Sequence, residues 1–166
     1  MTSIPILHTD RCTLSAITQS DIPVLRQILD DAETQRFLPE LCDEFQTAES
    51  LQQFVASFDH LLLQDEGILW GIRKDNVFIG FIAIMDIMTN PTLFYAMSPN
   101  HRYKGIMTEC VAVVVKWFCA NCPTLHLHTE VYKGNTTSIH LLQKNNFTQL
   151  DEDEYKIFLK VEAIVE

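Results

Sequence analysis

The chain has 166 residues, 47% apolar and 20% charged, a composition that fits a folded globular protein and excludes a disordered one. Its formal net charge of −10 argues against nucleic acid as a bulk partner, because a phosphate backbone is held by cationic surface. No apolar run reaches the roughly 18 residues of a membrane span, so no membrane partner is expected. The opening "MTSIPILHTDR" lacks the basic, apolar, small-residue progression of a signal peptide, and five cysteines, an odd count, fit a reduced cytoplasmic setting.

Taken in order, "CTLSAIT" reads as a first strand and "SDIPVLRQILDDAETQRFL" as a helix, with Ser20 as N-cap and Pro23 in the first turn. "TAESLQQFVASFDHLLLQ" repeats apolar residues at helical spacing, with Thr47 and Ser50 competing as its cap. "ILWGIRK", "NVFIGFIAIMDIM" and "TLFYAM" are separated by turn residues and predict an antiparallel meander. From Gly105 to Cys119 only Thr108, Glu109 and Lys116 are clearly polar, which predicts a buried helix. "TLHLHTEV" alternates as a strand, "TTSIHLLQKN" is a short helix, and "FTQL" and "YKIFLKVE" close the chain as strands. No repeat or linker interrupts this order. It predicts a single domain over residues 1–166, of mixed α+β class.

One stretch carries chemistry. "YAMSPNHRYKGIMTEC" leaves a strand, crosses a short basic segment with one glycine, and enters the long helix. Helix N-termini and successive backbone N–H groups attract anions, and Gly105 allows a positive φ and close approach. By itself the pattern is weak, since basic residues near a turn are more often plain solvated surface.

The order of elements adds to it. The chain resembles the GCN5-related N-acetyltransferase (GNAT) superfamily, and within it the RimJ/RimL-like ribosomal-protein branch, from about Thr9 to Leu150. "TDRCTLSAITQSDIPVLRQIL" is similar to that branch's opening strand and helix, "LFYAMSPNHRYKGIMTE" to its acetyl-CoA strand and pyrophosphate loop, and "NTTSIHLLQKNNF" to its Asn-x-x-Ser helix. The resemblance implies a central, mostly antiparallel sheet splayed at an acetyl-CoA cleft, with helices on both faces. It implies acetyl transfer from acetyl-CoA to a primary amine, at a protein N-terminus or on a small molecule, by direct attack in a ternary complex. Arg102 and Gly105 stand at the loop's two defining positions, and the amides of Tyr103, Lys104, Gly105, Ile106 and Met107 would hold the pyrophosphate. Backbone groups of Tyr95, Ala96 and Met97 would pair with the pantetheine arm, and one N–H there would polarise the thioester carbonyl. Two loop positions depart from the pattern: Tyr103 replaces a frequent glycine, and Met107 a glycine or alanine. Asn146-Phe147 replaces Gly-Phe, and asparagine is the next-best residue for a left-handed helix stop.

Such a transfer needs a neutral amine, a polarised thioester and a proton for the thiolate. Asn135 is read equally as an N-cap or as a contact to the pantetheine amides. Ser138, one turn on, is the candidate proton donor or water-orienting group, because the tyrosine that many members carry seven positions after the asparagine is Leu142 here. Asp86, Glu109 and Glu130 are the candidate bases, with Glu130 ahead. His126, His128 and Glu130 share a strand face near Cys119 and Cys122, but the single cysteine pair predicts no metal site. The rival class is a CoA-binding sensor or interaction module that no longer catalyses.

Overall fold

Alternation decides how the central strands face. In β3 (Gly67–Lys74), Ile68, Trp70 and Ile72 enter one core cluster and Leu69 the other, as a two-residue period requires. The structure, a computed structural model, describes residues 1–162.

Its strands form one eight-stranded sheet in the order β1 (Leu7–His8), β2 (Thr13–Ser15), β3, β4 (Val77–Met85), β5 (Thr92–Met97), β6 (Leu127–Tyr132), β8 (Lys156–Val161) and β7 (Thr148–Glu152). Every neighbouring pair is antiparallel except β5–β6, which is parallel and in register only at Thr92 and His128. The predicted meander is β3–β4–β5. It contains a bulge, because Ile72 pairs with Gly80 while Arg73 pairs with Phe78, leaving Ile79 extra. Gly80 is needed there, since a Cβ would lie 2.6 Å from the Ala96 carbonyl oxygen of β5. Neither outer edge offers a long clean ladder. β1 has two residues, and β7 is exposed throughout and slips register between Gln149 and Asp151.

Helices cover both faces. α1 (Ile22–Asp30), α3 (Pro39–Glu44) and α4 (Ala48–Leu63) pack on the face carrying Leu69, Phe81 and Ala83. α5 (Ile106–Asn121) and α6 (Thr136–Lys144) pack on the face carrying Trp70, Ile82 and Ile84. The predicted burial of α5 needs correction: Ala112, Lys116 and Ala120 are exposed, so small residues disguise an outer stripe. Among the described residues no helix is long and apolar enough to cross a membrane.

The helix expected from Ser20 to Leu38 is broken. Gln19–Asp21 form a short 3-10 turn capped by Thr18, and α1 ends where Asp31 turns extended (ψ 136°). The Asp31 carboxylate then accepts from the amides of Glu33 and Thr34, both at 3.2 Å, and starts α2 (Ala32–Phe37) afresh. Pro39 opens α3, in the segment between the two predicted helices. Thr47 caps α4: its hydroxyl accepts from Ser50 N–H (3.0 Å), and the Ser50 hydroxyl accepts from Thr47 N–H (3.1 Å).

Candidate active site

After Thr92 and His128 the paired strands part. Thr129 sits in the fork and donates its hydroxyl to the Leu93 carbonyl (2.9 Å), the last tie across it. Leu93's carbonyl therefore faces β6, and the strand period turns the main-chain groups of Tyr95 and Met97 the same way. Beyond the fork lies a cavity of about 320 Å³. Every residue of the predicted cofactor set lines it except Lys104, which holds the Asn100 carbonyl (3.0 Å) from the outer side of the loop. Ser138 and Glu130 line it as well.

The loop between β5 and α5 contains two left-handed residues, Tyr103 (φ 61°) and Gly105 (φ 76°). The expected positive φ at Gly105 is present. Tyr103 shows why glycine suits its position too, although here a hydrogen bond from its hydroxyl to Glu33 (2.6 Å) holds the side chain outward. Met107 turns into the core, leaving its backbone at the cavity. The first bond of α5 runs from Glu109 N–H to the Gly105 carbonyl (3.2 Å), so the amides of the turn before it have no helical acceptor. Open amides, a left-handed glycine and a helix N-terminus fit a pyrophosphate.

Arg102 lines the cavity but turns its guanidinium to the protein. It donates to the Met97 carbonyl (3.0 Å), to Asp31 (2.8 Å), to Glu33 (2.7 Å) and to the Thr34 hydroxyl (3.0 Å). Burial pushes the Asp31 carboxyl up, but Arg102 and the Thr34 and Glu33 amides outweigh it and hold the group below the ordinary carboxylate range. Sequence reasoning missed this tether; the pair Asp30-Asp31 before a short helix was its one visible signal.

Asn135 is a cap, its Oδ1 accepting from Ser138 N–H (3.3 Å), and it also lines the cavity. Both readings of the residue thus share one geometry. At the other end of α6, Asn146 is left-handed (φ 65°); its N–H reaches the Gln143 carbonyl (3.1 Å) and Phe147 N–H the Leu142 carbonyl (3.0 Å). Leu142 itself is fully buried in the core. A phenol reaches the site from elsewhere: the Tyr95 hydroxyl lies 2.5 Å from Ser138 Oγ.

The three carboxylates separate. Glu130 lines the cavity, with Lys156 Nζ 3.5 Å away. Glu109 is paired with Arg11 (2.9 Å), and Asp86 lies in the exposed turn after β4, so neither lines the cavity. His128 shares Glu130's face of β6, whereas His126 lies just before the strand, its ring 6.5 Å from that of His128, and among the described residues no group of three or more potential ligands could hold a metal.

Comparison with known proteins decides the family. The family model for an acetyltransferase (GNAT) domain matches residues 11–148. The chain belongs to the GNAT acetyltransferases. The uncharacterized N-acetyltransferase YoaA of Bacillus subtilis (strain 168) is 26% identical over 148 residues, covering 86% of this chain and 82% of that protein. Among solved structures, the RimL ribosomal L7/L12 alpha-N-protein acetyltransferase in complex with coenzyme A superposes with a TM-score of 0.85. It is 15% identical, over 98% of this chain and 100% of that one. The ribosomal-protein-S5-alanine acetyltransferase from Vibrio fischeri gives a TM-score of 0.77 at 15% identity, over 98% of each chain. The fold of this acetyltransferase is therefore the RimL-type fold. It is an N-acetyltransferase with acetyl-CoA as its acetyl donor.

Proposed function

We propose that the chain is a single cytoplasmic catalytic domain that acetylates primary amines, with protein N-termini the first class to test. The observation that carries this is the fork itself: one cavity lined by the open loop amides, by Ser138 and Glu130, and by Phe37 and Leu38 at the end of α2. A cationic amine is drawn toward carboxylates, and Glu130 receives its proton directly or through water before the nitrogen attacks the thioester. The amides of Tyr103 and of Gly105 to Met107 hold the pyrophosphate. Main-chain groups of Tyr95 and Met97 align the pantetheine arm, whereas those of Ala96, expected to join them, face β4; one outward N–H stabilises the negative charge on the carbonyl oxygen. Ser138 presents its hydroxyl to the departing sulfur, as proton donor or by orienting a water. Arg102 supports the loop from behind. RimL and the S5-alanine enzyme are named for ribosomal proteins, which is why N-terminal peptides come first; a microcin self-immunity acetyltransferase solved with acetyl-CoA and AMP shares the fold at a TM-score of 0.73, so small amines belong in the panel.

Thiol release from acetyl-CoA, measured with peptides and small amines, tests the reading. Amine-dependent release is expected with at least one acceptor. Acetyl-CoA binding with no release for any amine would leave a CoA-binding module instead. Dephosphorylated pantetheine should raise the melting temperature far less than acetyl-CoA; equal shifts would remove the pyrophosphate contact.

A further inference from the structure

Tyr95 and Ser138 come to the cavity from different layers, one from β5 and the other from α6, and meet hydroxyl to hydroxyl at 2.5 Å. On β5, Tyr95 shares the face of Leu93 and Met97, which packs beneath α5 and α6. Ser138 is 9% exposed and its backbone is fixed by the Asn135 cap, so its hydroxyl has little freedom except rotation. A helical serine commonly turns its hydroxyl back to a carbonyl one turn earlier. Ser57 does so here, donating to the Phe54 carbonyl at 2.6 Å. The hydrogen bond recorded for Ser138 Oγ is instead the one to Tyr95.

The two partners are not equal. A phenol is a stronger acid than an alcohol, so it is the better donor, while the serine oxygen keeps the more available lone pairs. Burial pushes the Tyr95 phenol further up, outweighing the opposing bond to Ser138, so its proton is in place across the pH range of acetyl transfer. Either oxygen could donate by geometry alone, and this ordering favours the phenol as donor and Ser138 Oγ as acceptor. A serine oxygen that accepts from one side is left with its own O–H to point elsewhere, and both residues line the cavity.

We propose that Tyr95 is a positioning residue for acetyl transfer, whose phenol donates to Ser138 Oγ and so turns the Ser138 hydroxyl hydrogen toward the thioester sulfur. This rests on the reading of Ser138 given above and adds the group that orients it. Tyr95 loses no proton: it holds one hydrogen bond throughout, and the bond to sulfur is made by Ser138 alone.

Tyr95→Phe removes one oxygen and keeps the ring, and Ser138→Ala removes the group it acts through. Melting temperature, acetyl-CoA affinity by calorimetry, and kcat and KM for amine-dependent thiol release are measured for both variants and their combination. Tyr95→Phe should lower kcat roughly threefold to tenfold, the worth of one oriented hydrogen bond, with acetyl-CoA affinity and KM little changed. In the Ser138→Ala background the same change should have no further effect on kcat. An equal drop in both backgrounds, or full kcat in Tyr95→Phe, overturns the inference while leaving Ser138 in its role. A drop matched by weakened acetyl-CoA affinity and a lower melting temperature overturns it too, because that is the mark of packing. Full turnover in Ser138→Ala removes the Ser138 reading itself, and this inference with it.

Discussion

The two ends of the cavity are made of different material. At the loop end the groups that line it are main-chain amides at the start of α5 and the outward edge of β5, while side chains such as Arg102 and Met107 turn to the protein. At the other the lining groups are side chains, Phe37 of α2 and Leu38 after it, and Glu40 of α3 bridges Tyr132 (2.6 Å) and Lys156 (3.0 Å). Main-chain recognition survives side-chain change, provided that each residue can adopt the required φ and ψ. Recognition by side chains does not survive it. One end of such a cavity can therefore stay constant while the other is rewritten for a new acceptor.

The sharpest way to break this contrast is Arg102→Ala. The variant leaves Asp31 and Glu33 without their cation, and loss of one partner of a largely buried pair costs about 3 kcal/mol, a fall on the order of 10 °C in melting temperature. Acetyl-CoA affinity should weaken as the loop loosens. If calorimetry shows normal affinity in the destabilised variant, the amides hold their arrangement without the tether. Next in size is Gly105→Val. A β-branched residue at φ 76° is strained by roughly 1–3 kcal/mol, so acetyl-CoA binding should weaken about tenfold to a hundredfold. Unchanged affinity in a folded protein would mean that the loop does not meet the ligand through its backbone.

Asp31→Ala acts on the helix side of the same tether and should cost about 1 kcal/mol through the lost cap. It also carries a pH signature. The carboxyl is held below its ordinary value in the folded protein, so its stabilisation is complete above the unfolded value of about 3.9 and fades as pH falls through the lower folded one. Urea midpoints at mildly acidic and strongly acidic pH should converge between the parent and Asp31→Ala; a constant gap would show that the charge is irrelevant there. The smallest effect belongs to Tyr103→Phe. It loses one exposed hydrogen bond to Glu33, about 0.5 kcal/mol, and acetyl-CoA affinity should not change. A clear loss of affinity would assign the phenol to the ligand.

The same contrast explains what the sequence made legible. Gly105, the helix that follows it, and Asn135 three residues ahead of Ser138 mark backbone geometry, which local residue chemistry dictates, and the structure has them where the pattern put them. Asn146 could be read as a left-handed stop because few residues accept that conformation. What stayed hidden depends on partners distant in the chain. Asp31 looks like an ordinary helical residue until its carboxylate meets Arg102, 71 positions on. Tyr95 is singled out in the sequence for its main chain alone, and only the fold brings its phenol to Ser138, 43 positions away. The stretch around α2 and α3 was least legible, because both are short helices whose caps lie inside what reads as one longer helix and the residues after it.

A sheet that opens in its middle still ends at two outer strands, and unpaired strand edges invite copies of the same chain to join them. β1 is too short to template much. β7 is longer, and it runs into Asp151, Glu152, Asp153 and Glu154 just where its register slips. A second molecule approaching this edge would bring carboxylates against carboxylates and find a bent ladder to pair with. Lys133 neutralises Glu152 (2.9 Å), but the chain keeps a net charge of −10. Part of that negative charge therefore guards against edge-to-edge aggregation, at the outer strand farthest from β1.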